Sequence, residues 1–192
     1  MSLSPIHTAA LICSVSLPLA FAQTAHAEDA NYTDAKGRSG LTAGIALGVG
    51  HMGCNDDECD TLVEAGGLNA HIGGMLTPRL ALVGDIWGMT HRDDRATFNQ
   101  SILTAALRVW PAKFLWLSGG VGVARASFSY DAEIVTLEER SETVPGFMVA
   151  AGIEVLRSES FALDVQVRAG TGIYDEDQRI RNYALSVGAS FY

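Results

Sequence analysis

The sequence predicts an all-β chain: a closed eight-stranded antiparallel up-and-down barrel that crosses a membrane, preceded by a signal peptide. Three observations lead there. Tyr183 to Phe191 alternates large apolar residues (Tyr183, Leu185, Val187, Phe191) with small ones (Ala184, Ser186, Gly188, Ser190), and a period of two puts the sets on opposite faces of a strand. The same alternation recurs about eight times along the chain. Its charged members share one parity and its large aliphatics the other, which suits aliphatics facing lipid and polar groups facing a lumen.

The leader comes first. Residues 1–27 hold no Lys, Arg, Asp or Glu, carry an apolar run from Ile6 to Ala22 and end in Ala25-His26-Ala27. Such a small-x-small ending is read by secretory peptidases. The expected divisions are a signal peptide over 1–27, a loose polar segment over 28–38 and the barrel over 39–192. The whole chain has 13 basic and 22 acidic residues, a formal net charge of −9, which argues against a nucleic-acid partner. No apolar run after the leader reaches the roughly 20 residues of a membrane helix, but a barrel strand needs only about 9–11.

The first strand sets Leu41, Ala43, Ile45, Leu47 and Val49 against Thr42, Gly44, Ala46, Gly48 and Gly50. The acidic loop behind it carries Cys54 and Cys59. An exported chain meets an oxidising compartment, and a bond between them would contribute about 2 kcal/mol by loop closure. Asn55 to Asp60 offers oxygens but lacks the calcium-loop pattern, so a solvated acidic tip is expected, with no metal and no cofactor. In the second strand Leu68, Ala70 and Ile72 oppose Asn69, His71 and Gly73; Pro78 then presets a turn. In the third, Asp85 decides the face: ionised carboxylates avoid hydrocarbon, so Asp85, with Val83 and Trp87, points inward.

His91 to Arg95 is expected as a charged loop. The fourth strand puts Leu103, Leu107 and Val109 outside and Arg108 inside. In the fifth, Leu117, Val121 and Val123 face out, and Arg125, outward near the strand end, is expected at lipid headgroups. Ser129 to Thr143, with five acidic residues and one Arg, is expected as the longest loop. Phe147, Val149 and Ile153 then oppose Met148, Gly152 and Glu154; Leu163, Val165 and Val167 oppose Asp164, Gln166 and Arg168. Connections after the second, fourth and sixth strands read as tight, and the others as longer and charged. Aromatics near the strand ends, among them Trp110, Phe114, Phe147 and Tyr183, read as interfacial girdles, with Trp116 a misfit by parity.

On strand number, loop parity and the closing stretch Tyr183 to Phe191, the chain from Ser39 to Tyr192 resembles the small eight-stranded outer-membrane barrels, the group of outer-membrane proteins A and X. The resemblance implies an outer-membrane location with both termini periplasmic, insertion by the barrel assembly machinery, which would read the C-terminal stretch, and contact with outer-membrane lipids and lipopolysaccharide. Tyr192 departs from the pattern by following the aromatic that should end the signal.

The inward charges Asp85, Arg108, Glu154, Asp164 and Arg168 have to pair in so narrow a lumen, because an unpaired buried charge is costly. His71 is a candidate third cation. The function expected is non-enzymatic: membrane structure and surface contact through acidic loops. The alternatives are an adhesion or ligand-binding receptor barrel, a lipid-modifying barrel enzyme using a His–Ser pair, and a soluble barrel with an apolar lumen.

Overall fold

The computed structural model describes residues 38–54, 62–132, 135–174 and 179–192; the leader, Cys59 and most of the acidic loop lie outside them. The strands are β1 (Leu41–Cys54), β2 (Val63–Thr77), β3 (Leu80–Asp93), β4 (Ala96–Val109), β5 (Leu115–Ala132), β6 (Val135–Arg140), β7 (Val144–Arg157), β8 (Phe161–Ile173) and β9 (Arg179–Phe191). Each pairs antiparallel with its neighbours. β1 pairs β9 from Ala43↔Phe191 to Cys54↔Ile180, which closes the sheet into a barrel. β6 and β7 both pair β5, at Ser127↔Arg140 and Ala124↔Val144 respectively, so they are two pieces of one barrel wall and the wall has eight members. Among the described residues no helix is long and apolar enough to cross a membrane.

The alternation holds in space. Leu47, Val121, Val149, Val187 and Ile72 are each at least 60 % exposed, whereas Asp85, Arg108, Asp164 and Arg168 are at most 3 % exposed. A water-soluble protein buries the first set and exposes the second; this surface is inverted.

Three expectations about connections are corrected. His91 to Arg95 is not a loop: β3 runs to Asp93 and β4 begins at Ala96, leaving a turn of Asp94 and Arg95, with Asp94 at φ 30°. Ser129 to Thr143 is mostly hairpin, because β5 continues to Ala132 and β6 pairs back on it. The asymmetry of short and long connections therefore fails as coil length: the tight-turn expectation at Pro111 meets a stretch from Trp110 to Phe114, longer than the Asp94–Arg95 turn. The two ends differ in strand overhang instead. Strands of 13 to 18 residues exceed the roughly 9–11 that cross hydrocarbon, and the excess stands at the end away from the chain termini. That end is the loop end, and the other is the terminal end.

Candidate functional site: a lumen packed in two layers

Two lumen clusters hold the charges. The central one is built on Asp85 of β3. Arg168 of β8 reaches across the lumen with Nη1 3.1 Å from Asp85 Oδ1 and Nη2 3.2 Å from Oδ2. This two-pronged contact is the geometry a guanidinium and a carboxylate favour. Arg168 Nη2 also donates to Asn69 Oδ1 at 2.8 Å, its Nε to Gln166 Oε1 at 3.1 Å, and Asn69 Nδ2 donates to Asp85 Oδ1 at 2.6 Å. Arg108 Nη2 stands 3.9 Å from Asp85 Oδ2, and its guanidinium lies 4.3 Å from the centre of the Trp116 ring.

Arg108 Nη1 lies 3.0 Å from His71 Nε2. A guanidinium can only donate, so His71 accepts through Nε2. His71 is in the lumen but is not a third cation; its ring serves Arg108 as an acceptor. Asp164 is inward and buried beside Gln166, and the two fill the space over Gly188, where a Cβ would meet Gln166 Nε2 at 2.7 Å and Asp164 Oδ1 at 2.8 Å.

The second cluster closes the terminal end around Glu154 of β7. Arg38 Nη2 is 2.5 Å from Glu154 Oε2, while Trp110 Nε1 and the Tyr192 hydroxyl donate to Oε1 at 2.7 and 2.9 Å. Arg38 also donates to the Lys113 carbonyl at 3.1 Å and lies 4.7 Å from the Trp110 ring centre. Burial first, then the adjacent Glu154 charge and the hydrogen bond to it, hold the Tyr192 phenol above its ordinary range, so it remains a donor. The sequence reading missed this knot. Arg38 was placed in a loose segment, yet it is 2 % exposed. Trp110 and Trp116 were placed with the girdle and as its misfit; both are lumen residues. The supernumerary Tyr192 was a signal that could have been followed inward.

Between the central cluster and the loop end the lumen is mainly apolar, with Gln100 and Asn182 buried beside Met89 and Met52. Met52, Met89, Trp87, Ile102 and Met148 are all 1–2 % exposed. Glycines make room for the rings. A Cβ on Gly170 would meet Trp87 Cζ3 at 2.8 Å, and one on Gly152 would collide with the Trp116 indole. Level with Met89, Gln100 Nε2 donates to the Tyr174 hydroxyl at 2.9 Å. With side chains filling it, the lumen is a solid core.

Outside, the register partners of His51 are Glu64 and Tyr183, and His91 Nδ1 contacts the Glu64 carbonyl at 2.7 Å. No serine, threonine or cysteine pairs with either histidine through these contacts. Arg125 is exposed on β5. No cluster of metal-binding side chains occurs among the described residues, and the Cys54–Cys59 pairing and the acidic tip fall outside what they cover.

No protein-family model and no curated protein matches the sequence. Solved structures do. Ail, the attachment invasion locus protein of Yersinia pestis, solved in complex with the heparin analogue sucrose octasulfate, superposes with TM-score 0.59 at 12 % identity, over 79 % of this chain and 99 % of Ail. Neisserial surface protein A superposes with TM-score 0.58 at 14 % identity, over 78 % and 96 %. The fold is thus that of the small eight-stranded outer-membrane barrels. At these identities the likeness establishes the architecture and nothing finer.

Proposed function

We propose that this chain is an exported outer-membrane barrel with a closed lumen and no catalytic role, which contributes to membrane structure and makes surface contacts through its overhanging strands and acidic loops. The termini face the periplasm in this reading. One observation carries it: the inverted surface, with aliphatics exposed all round the wall while Arg38, Asp85, Arg108, Glu154, Asp164 and Arg168 are buried inside. Exposing that belt to water would cost about 25 cal/mol per Å² of apolar surface; lipid removes the cost. The packed lumen supports a structural role over a pore, since large side chains such as Trp87, Arg108, Trp116 and Arg168 fill it among the described residues.

Membrane fractions test it. The folded barrel is expected to sediment with outer membranes and to migrate differently in gels before and after boiling; a chain that stays in the soluble fraction sinks the reading. Val187→Arg is expected to cost about 2–4 kcal/mol of folding stability in bilayers, as a charge on the lipid face near mid-membrane does. In planar bilayers no stepwise conductance is expected.

The overhang favours a second reading, a surface receptor. β5, the longest strand at 18 residues, continues to Ala132 and is paired by β6 on one side and by β4 as far as Tyr130 on the other. Ail was solved with a heparin analogue, but the acidic balance here, 22 against 13, disfavours a polysulfated ligand. Binding of cells to immobilised host matrix, compared with and without the β5–β6 tip, separates the two readings.

A further inference from the structure

We propose that the inner face of the overhanging sheet at the loop-end mouth, β3 to β6, docks an extended, arginine-bearing segment of a partner protein. One guanidinium lies on Phe128 beside Glu139, and the next lies between Tyr130 and Asp93. The proposal rests on the surface-receptor reading and names the partner's chemistry and the place that takes it.

Two inner rows build the platform. The lower runs His91, Phe98, Phe128 and Glu139 across β3, β4, β5 and β6, each in register with the next. The upper runs Asp93, Ala96 and Tyr130. Both rows share the parity of Gln100 and Ala126, a buried register pair just below them. They therefore face the barrel axis and not lipid. Phe98 packs against the core beneath. The other rings stand open above it: Phe128 is 43 % exposed and Tyr130 38 %. Asp93 and Glu139 are exposed at the two edges. Aromatic surface left open to water, away from lipid, marks a place of contact.

Charge decides the occupant. The arginines of β3, β5 and β6 at this end lie on outward rows: Arg92 pairs with Thr97, Arg125 with Ser101 and Arg140 with Ser127. The two inner rows hold one basic side chain, His91, and its Nδ1 donates to the Glu64 carbonyl at 2.7 Å. Arg95, in the β3–β4 turn, makes no ion pair with Asp93. The connections 55–61, 133–134 and 175–178, which join strands at this end, carry acidic side chains and no basic one. Ring faces attract cations, carboxylates pair with them, and the acidic surroundings draw them in.

The spacing suits a peptide. Phe128 and Glu139 are register partners, so a guanidinium lying on the ring meets the carboxylate within one strand spacing, about 4.8 Å. In the upper row Ala96 is the small member between Asp93 and Tyr130, which leaves a second seat over it. The rows are two residues apart, about 7 Å along the strands. Alternate residues of an extended segment project to one side at that same interval of about 7 Å. Two arginines with one residue between them therefore meet both seats. Arginine suits the seats better than lysine, because its planar head stacks on a ring while its edge donates to a carboxylate.

The test uses the whole barrel in detergent micelles and a dye-labelled peptide with two arginines separated by one residue, its binding read by fluorescence anisotropy. The same peptide with citrulline for both arginines, alike in shape but uncharged, is expected to bind about tenfold more weakly or worse. Phe128→Ala/Tyr130→Ala and Asp93→Asn/Glu139→Gln should each weaken binding of the arginine peptide by about tenfold. Glu64→Gln/Glu142→Gln removes two exposed carboxylates off the platform and should bind as the parent does. Parent-like binding by either platform variant overturns the site. So does equal loss in the Glu64/Glu142 variant, which would mean diffuse attraction to an acidic surface, or spermidine competing at the peptide's own concentration, which would mean a free polyamine ligand. Altered gel migration on boiling verifies that each variant is folded. A folded parent that binds no peptide, while cells still need the β5–β6 tip to attach, sinks this inference alone. Attachment indifferent to the tip sinks the receptor reading and this inference with it.

Discussion

The lumen joins two kinds of packing in one tube. Toward the chain termini it is ionic: Asp85 with Arg168 and Arg108, then Glu154 with Arg38. Toward the loop end it is thioether, indole and methyl: Met52, Met89, Met148, Trp87 and Ile102. The ionic layer is directional. Asp85 and Arg168 are 83 residues apart, and Arg38 and Glu154 are 116 apart, so each pair forms only in one register of one closed barrel. The apolar layer is indifferent to angle but sensitive to volume. The ionic half can specify which strands close on which, while the apolar half fills what closure leaves.

That division can be broken in graded steps, each read as the urea midpoint for refolding into lipid vesicles. Asp85→Ala is expected to cost most, about 3–5 kcal/mol, because it strands the Arg168 and Arg108 charges in the lumen. Replacing both partners, Asp85→Leu with Arg168→Met, should recover most of the loss; no recovery would mean the layer acts through something other than charge pairing. Met89→Ala is expected to cost about 2–5 kcal/mol, the range for emptying a buried apolar site. Arg38→Ala follows at about 1.5–3 kcal/mol, from a charged hydrogen bond to Glu154. If Arg38→Ala leaves the midpoint unmoved, the terminal knot is ornamental. Gly152→Ala should cost least, about 1–3 kcal/mol, by pushing the Trp116 indole off the wall.

The existence and facing of the eight membrane-crossing strands were legible, because a period of two is local. The inward parity of Asp85, Arg108, Glu154, Asp164 and Arg168 could be read from their immediate neighbours, and each is buried where that parity points. Connections were read less well. Polar residues such as His91, Arg92 and Asp93 signalled loop, but a strand that has left the membrane has no need of apolar residues to remain a strand, and β3, β5 and β6 continue through them.

By itself the sequence determined which face of every strand meets lipid, since that depends only on alternation and on the cost of putting charge into hydrocarbon. It could not say which charge meets which. His71 as an acceptor for Arg108, Arg38 as the cation for Glu154, and Trp110 and Tyr192 turned in upon the same carboxylate were decided by barrel closure. Closure sets the stagger and curvature that bring distant strands face to face across a few ångströms, and no local pattern encodes that distance.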